Sequence, residues 1–255
     1  MFSREPRCIY RKNQLGEVIC QLRFPEILTI GTTAPAAFQE AIRADYPGYQ
    51  AIKEPQPVRP GTPPAPGQFS MNHQFTSGDG IWRINMTSKF ISLACSRYIS
   101  WEEFAARLDK PLAAFIRIYQ PAWFDRVGLR YLNFFSRKSL GLEDTPWREL
   151  FDPRYLSLMA EEEVQETGVT RCTVDADIAL RGGCRVKLHA GPGMVRRGNQ
   201  QDPELKFILD YDLYMPGKLA INLSAGALQT LHGQAWPLFR GAITDTLHNA
   251  MEPSF

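Results

Sequence analysis

The sequence predicts an α+β protein with antiparallel strands and with helices packed on one face of the sheet. Several segments alternate apolar and polar residues, as half-buried strands do. Two longer segments space apolar residues three and four positions apart, which is typical of amphipathic helices. The strands also follow one another in runs, whereas an α/β protein would alternate single strands with helices.

The first predicted strand spans residues 17–24 and ends at Pro25, because proline cannot donate to a strand ladder. Its alternation predicts a central strand of the fold. The residues on its core face are Val18, Cys20, Leu22 and Phe24. Thr32 or Thr33 is predicted to cap a short helix that carries Pro35 in its first turn and ends before Pro47.

Residues 54–67 read EPQPVRPGTPPAPG and contain little that a core would bury. They are interpreted as an extended, solvated loop, with a proline-motif ligand as the alternative.

Three strands are predicted next, at 68–76, 81–87 and 90–98. Gly78 and Gly80 lie between the first two, where a hairpin requires positive φ angles. Ser100 and Glu103 then form a capping box that begins a long amphipathic helix. Pro111 is expected to kink or divide this helix because it lacks an N–H group.

The second half of the chain repeats this order. A strand at 124–136 precedes a weakly helical insert at 140–166, strands at 169–180, 184–190 and 204–214, and a long terminal helix capped by Ser224. The chain therefore divides into a β-α-βββ-α half, residues 1–120, and a similar half, residues 121–255, predicted to form one integrated domain. An ancestral duplication is a hypothesis from element order alone.

Alternation in the last three strands predicts a charged sheet face. Asp175 and Asp177 share one side of the first strand, and Asp210 and Asp212 share one side of the third. Lys187 and its basic neighbours lie on the strand between them. A three-residue loop, 181–183, would place Asp177 opposite Lys187 and Asp175 opposite His189. The favoured interpretation is a charge ladder, and the alternative is a divalent-metal site formed by the four aspartates.

Composition narrows the class of protein. The 255 residues are 44% hydrophobic and 22% charged, with a net charge of +2, which gives no polyelectrolyte signal for nucleic acid. The five cysteines show no C-x-x-C pair, charged residues interrupt the first thirty positions, and no apolar run could span a bilayer. We expect a cytoplasmic protein without a membrane partner.

The common catalytic and nucleotide-binding motifs do not occur, so the sequence leans away from an enzyme and nominates no catalytic residue and no cofactor. Arg126, Arg130 and Arg137 lie beside aromatic residues in one segment, a combination also found on sheets that bind RNA.

Three separated segments resemble an uncharacterised, sporadically distributed prokaryotic protein family. They read N-x-L-x-E-V-x-x-Q-L-R-F-P from Asn13, G-L-R-Y-L-N from Gly128, and L-H … L-F … I-T … M-E-P from Leu231. The segment L-D-Y-D-x-Y from Leu209 also fits the pattern. The resemblance implies no activity. Its patchy distribution suggests a mobile or accessory gene, for example in a defence or toxin–antitoxin locus.

Polar residues in these segments are the candidate partner- or ligand-binding site: Glu17, Gln21, Arg23, Arg130 and Asn133. If the two strands that carry them are neighbours, they would form a polar network at the centre of the sheet, either structural or functional. The leading hypothesis is a non-enzymatic protein-interaction or accessory protein. A metal-dependent phosphodiesterase or nuclease and a sheet-based RNA binder are the alternatives. The sequence leaves the oligomeric state open.

Overall fold

A computed structural model describes residues 2–55, 69–197 and 200–254 of the chain. The strands are β1 (Ile9–Tyr10), β2 (Leu15–Arg23), β3 (Gly48–Pro55), β4 (Phe69–Thr76), β5 (Trp82–Met86), β6 (Phe90–Cys95), β7 (Phe124–Phe135), β8 (Val174–Ala179), β9 (Arg185–Arg197), β10 (Gln200–Leu219) and β11 (Pro253–Ser254). The α-helices are α1 (Leu28–Thr32), α2 (Ala36–Ile42), α3 (Trp101–Tyr119), α4 (Arg137–Leu140), α5 (Trp147–Leu150), α6 (Ser224–Arg240) and α7 (Asp245–Ala250).

Nine strands form one antiparallel sheet in the order β3-β4-β5-β6-β2-β7-β10-β9-β8, and β1 pairs with β11 separately. The predicted central strand is confirmed, since β2 is the fifth of the nine. In each half the first strand lies at the centre, the last strand lies beside it, and the others continue outward. Because β2 and β7 pair antiparallel, the two halves join in one continuous sheet. This arrangement agrees with the duplication hypothesis but does not test it.

The sequence did not predict strand β3. Four strands, β3 to β6, therefore lie between α2 and α3, where three were expected. The strand is an edge strand whose residues are mostly exposed, so it lacks the alternation that marks a half-buried strand. Glu54 and Pro55 end it, and the rest of the predicted 54–67 loop lies outside the described residues.

The described helices pack on one face of the sheet, as predicted. Val18, Cys20 and Leu22 are fully buried there, and Phe24 packs on Phe115 of α3 with ring centroids 4.8 Å apart. The insert after β7 covers the same face in the second half, where Phe151 stacks on Phe207 at 3.9 Å. Leu158 of this insert is 71% exposed.

Helix α3 begins as predicted, because the Ser100 side chain accepts a hydrogen bond from the Glu103 N–H. Pro111 does not divide it, and the helix runs unbroken to Tyr119. Proline at 111 leaves the Arg107 carbonyl without its helical donor. The Tyr46 hydroxyl donates to that oxygen at 3.4 Å, which partly replaces the missing bond.

Two predicted caps are wrong. No side chain caps α2, and Thr32 ends the separate short helix α1. Ser224 is already inside α6, where its hydroxyl donates to the Ile221 carbonyl. The terminal helix also stops at Arg240, and Thr244 caps a second helix, α7. The buried Arg240 guanidinium donates to the Ile243 carbonyl at 3.1 Å, which stabilises the turn between them.

All five cysteines are free thiols. Within the described ranges, no helix combines the length and the apolarity that crossing a bilayer demands.

Candidate functional site

The face of the sheet opposite the helices carries the charged residues that the sequence singled out. We call it the open face; across the central and second-half strands it comprises Glu17, Ile19, Gln21, Arg23, Arg126, Arg130, Leu132, Phe134, Asp175, Asp177, Arg185, Lys187, His189, Ile208, Asp210, Asp212 and Tyr214. Because neighbouring strands are in register, these side chains form rows across the sheet.

The predicted register of the last three strands is confirmed. Asp177 lies opposite Lys187, Asp175 lies opposite His189, and β9 lies between β8 and β10. The loop 181–183 has the predicted three residues, closed by a hydrogen bond from the Leu180 N–H to the Cys184 carbonyl. Gly182 and Gly183 both adopt positive φ, at 72° and 74°, which explains two glycines in this loop.

The charge ladder is built from ion pairs that partly differ from the register. Asp175 accepts from His189 at 2.7 Å, its partner in register. Asp177 instead pairs with Arg185, one step diagonally, at 2.8 Å. These hydrogen bonds lower the pKa of both aspartates.

The other two aspartates are held by arginines from the central strand β7. Arg126 reaches both carboxylate oxygens of Asp212, at 2.6 and 2.7 Å, and its guanidinium lies 4.5 Å from the centre of the Tyr214 ring. Arg130 also reaches both oxygens of its aspartate, Asp210, but through two nitrogens, Nε and Nη2. Gly128 makes room for this arrangement, since a Cβ there would lie 2.3 Å from an Arg126 nitrogen.

The metal alternative gains no support from this geometry. Each of the four aspartates is bonded to a basic side chain. Among the described residues, no three histidine, cysteine, aspartate or glutamate side chains are grouped as a metal ion would require. A carboxylate neutralised by arginine is a poor ligand, because the metal would have to displace a bound cation.

The predicted polar network does not form as one unit. Glu17 pairs with Arg83 of β5 at 3.0 Å. Arg130 pairs with Asp210 instead of a residue of β2. Asn133 lies on the helix-covered face, where it donates to the Leu209 carbonyl at 2.9 Å. The sequence grouped Arg130 with Asn133, yet an odd separation places two strand residues on opposite faces.

Among the described residues of the open face, Arg23 forms no ion pair with a carboxylate, and Lys187, whose Nζ lies 5.9 Å from the centre of the Tyr214 ring, forms none either. The Nε of Arg23 donates to Gln21 at 2.9 Å, and the neighbour of Arg23 across the strand pair is another cation, Arg126. Burial and the charge of Arg126 lower the pKa of Arg23. Like charges directly opposite each other repel, so this position favours an anionic group from outside the chain.

The arginines grouped as an RNA-binding set are also separated. Arg126 and Arg130 are on the open face. Arg137, in contrast, pairs with Glu166 at 2.7 Å and lies over the buried Trp147 ring on the helix-covered side. The three therefore do not form one continuous basic surface.

A cavity on the helix-covered face was not anticipated. It has a volume of about 110 Å³ and lies between β7, helix α6 and the N-terminal segment. Asn133 lines it together with Tyr98, Tyr131, Tyr211 and His232. No local sequence signal joins these residues, because they come from distant segments.

No protein-family model matches the sequence, and no curated protein matches it either.

Proposed function

We propose that this chain is a non-enzymatic interaction protein that binds an acidic surface of a partner protein on its open face. The observation that supports this proposal is that the nine-stranded sheet is covered on one face only. The described helices all pack on that face. The opposite, open face presents a broad and ordered array of side chains on the central strands of the sheet.

The open face has an apolar patch consisting of Ile19, Leu132, Phe134 and Ile208, all partly exposed. Phe134 lies directly opposite Ile208, and Leu132 adjoins them on β7. Ion pairs that join β7 to β10 and β8 to β9 lie to one side of this patch. An apolar centre with a polar rim rich in arginine and tyrosine is the usual composition of a protein interface.

Charge favours an acidic partner. Arg23 and Arg126 lie side by side, and Asp212 is already engaged by Arg126. A carboxylate of the partner placed at Arg23 would relieve the repulsion between the two cations. Arg130, Arg185 and His189 are each paired with an aspartate. Together with Arg23, this leaves Lys187 as a cation without an ion pair among the described open-face residues, which is too few for the extended positive surface that a nucleic-acid backbone would need.

Site-specific cross-linking in the native host tests the proposal. The photo-reactive residue p-benzoylphenylalanine replaces Ile19 on the open face in one variant, and Arg43 at the exposed end of α2 in a control. We expect a stoichiometric protein adduct from position 19 and none from position 43. Adducts to RNA alone, or a chain that is monomeric and unlinked at both positions, would overturn the proposal.

The purified partner then allows a matched charge reversal. Arg23→Glu should weaken binding at least tenfold, because it places a carboxylate against the partner's acidic group. Arg43→Glu changes the charge by the same amount away from the open face and should leave the affinity unchanged. Equal losses in both variants would show a general charge effect and contradict a site at Arg23.

A further inference from the structure

The cavity on the helix-covered face has the size of a small-molecule site. Its volume of about 110 Å³ is somewhat smaller than the roughly 150 Å³ apolar cavity known to bind benzene. Leu15, Ala235, Trp236 and Phe239 supply apolar walls. Ile99, which is 58% exposed, also lines the cavity, so the cavity reaches the surface. Because the cavity opens to the surface at Ile99, a single ring can enter it with part of the molecule left outside.

The hydrogen bonds at His232 show which of its ring nitrogens carries the proton. Burial lowers the pKa of His232 to about 4, so the ring is neutral near pH 7 and carries one N–H. Arg7 lies 3.1 Å from Nε2 and can only donate, so Nε2 must accept. The proton is therefore on Nδ1, and Nδ1–H donates to the Tyr131 oxygen at 2.9 Å. The Tyr131 O–H remains available for another acceptor.

A second hydroxyl lies beside it. The Tyr98 ring packs edge-on against Tyr131, and the buried Tyr98 hydroxyl makes no hydrogen bond of good geometry within the described chain. The two hydroxyls have two protons between them. The Tyr98 hydroxyl is enclosed, and when its O–H points to the Tyr131 oxygen, the Tyr131 O–H at the cavity still lacks an acceptor. A buried donor without a partner is costly, so the site is matched to a group that supplies an acceptor.

We propose that this cavity binds a small single-ring molecule that carries a carbonyl or carboxylate oxygen. The ring would occupy the space between Ala235 and Phe239, and its oxygen would accept from the Tyr131 O–H. Arg7, at the edge of the cavity, favours the carboxylate form. This site is on the opposite side of the sheet from the proposed partner surface, so either proposal can fail without the other.

A panel of probes tests the proposal directly. Benzoate, cyclohexanecarboxylate and benzaldehyde supply an acceptor oxygen, whereas toluene supplies only the ring. Trp236 lines the cavity and Trp101 stacks on His232 at 4.6 Å, so intrinsic fluorescence reports occupancy, and calorimetry gives the affinity. We expect at least one oxygen-bearing probe to bind tenfold or more tightly than toluene. Binding of none of them, or equal binding of toluene, would overturn the proposal.

Variants locate the site. Tyr131→Phe removes the O–H that would donate to the ligand, so the affinity for the bound probe should fall about tenfold. Tyr155→Phe is the control, because its hydroxyl is buried without a hydrogen-bond partner among the described residues and it does not line the cavity. Ala235→Phe should abolish binding by filling the space. An unchanged affinity in Tyr131→Phe, with the fold intact, would contradict the assigned role.

Discussion

Arg130 on β7 holds Asp210 on β10 through two parallel hydrogen bonds, from Nε to Oδ1 at 2.8 Å and from Nη2 to Oδ2 at 2.5 Å. The Asp210 side chain is only 12% exposed and the Arg130 side chain 44%, so it is the carboxylate of this ion pair that is largely removed from water. In register, Arg130 faces Asp212 and not Asp210, so the side chain reaches diagonally across the strands. Arg126 reaches further, past Tyr214 to Asp212, four residues from its register partner Pro216, so that each arginine holds one carboxylate.

Asp210→Asn should lower the free energy of unfolding by about 1–3 kcal/mol, because it leaves Arg130 without its charge-assisted bonds. The control is Asp175→Asn, whose side chain is 66% exposed and whose loss should change stability by less than about 1 kcal/mol. Urea titration at pH 7 measures both. Similar losses in the two variants would show that burial of the carboxylate does not matter.

Two glycines should respond in opposite directions to alanine. Gly191 in β9 has a φ of 154°, and a Cβ there would lie 2.5 Å from the Cys172 carbonyl oxygen. Gly191→Ala should therefore destabilise the fold by about 2 kcal/mol or more, because backbone must move. Gly233 is exposed in the middle of α6 with no atom within 4 Å of an added Cβ. Gly233→Ala should stabilise by roughly 0.5–1 kcal/mol. Thermal unfolding separates the two signs.

The two serines predicted as helix caps should differ when replaced by alanine. Ser100 accepts the Glu103 N–H at the start of α3, so Ser100→Ala should cost about 1 kcal/mol of stability. Ser224 makes no such cap in α6, so Ser224→Ala should lose only its bond to the Ile221 carbonyl. Hydrogen exchange of the first turn of each helix distinguishes them, since only α3 should fray. Fraying of α6 in Ser224→Ala would contradict the assignment.

Stability should fall as the pH decreases through the range set by His232. Burial, assisted by the charge of Arg7, lowers its pKa from about 6.5 in the unfolded chain to about 4 in the fold. Below pH 6.5 the unfolded chain therefore binds a proton that the folded chain does not, which favours unfolding until about pH 4. Above pH 6.5 this histidine contributes no pH dependence.

His232→Asn should reduce that dependence between pH 7 and pH 5, measured as the change in urea midpoint. Asparagine keeps an N–H donor near the Tyr131 oxygen but does not titrate. Burial also lowers the pKa of His248. This histidine should therefore account for pH dependence of stability that remains in the variant. An identical slope in the variant and the parent chain would show that His232 does not carry the effect.

The sequence by itself determined the elements with strong local patterns. The alternation of Val18, Cys20 and Leu22 identified a buried face, and the spacing of Asp175 and Asp177 against Lys187 predicted both register and loop length. These predictions are correct because burial of one face of a strand permits only one register. The exposed edge strand β3 has no such pattern, and the break after Arg240 depends on side-chain contacts that only the fold provides.

Only the tertiary structure decided which polar residues meet. Glu17, Arg130 and Asn133 were placed together by their position in similar segments, yet they contact three different partners on two faces of the sheet. The cavity is the clearer case: Tyr98, Tyr131 and His232 approach one another only because β7 and α6 pack across the core. Alternation and helical spacing report which side of an element faces inward, whereas the partner on that side depends on contacts distant in sequence.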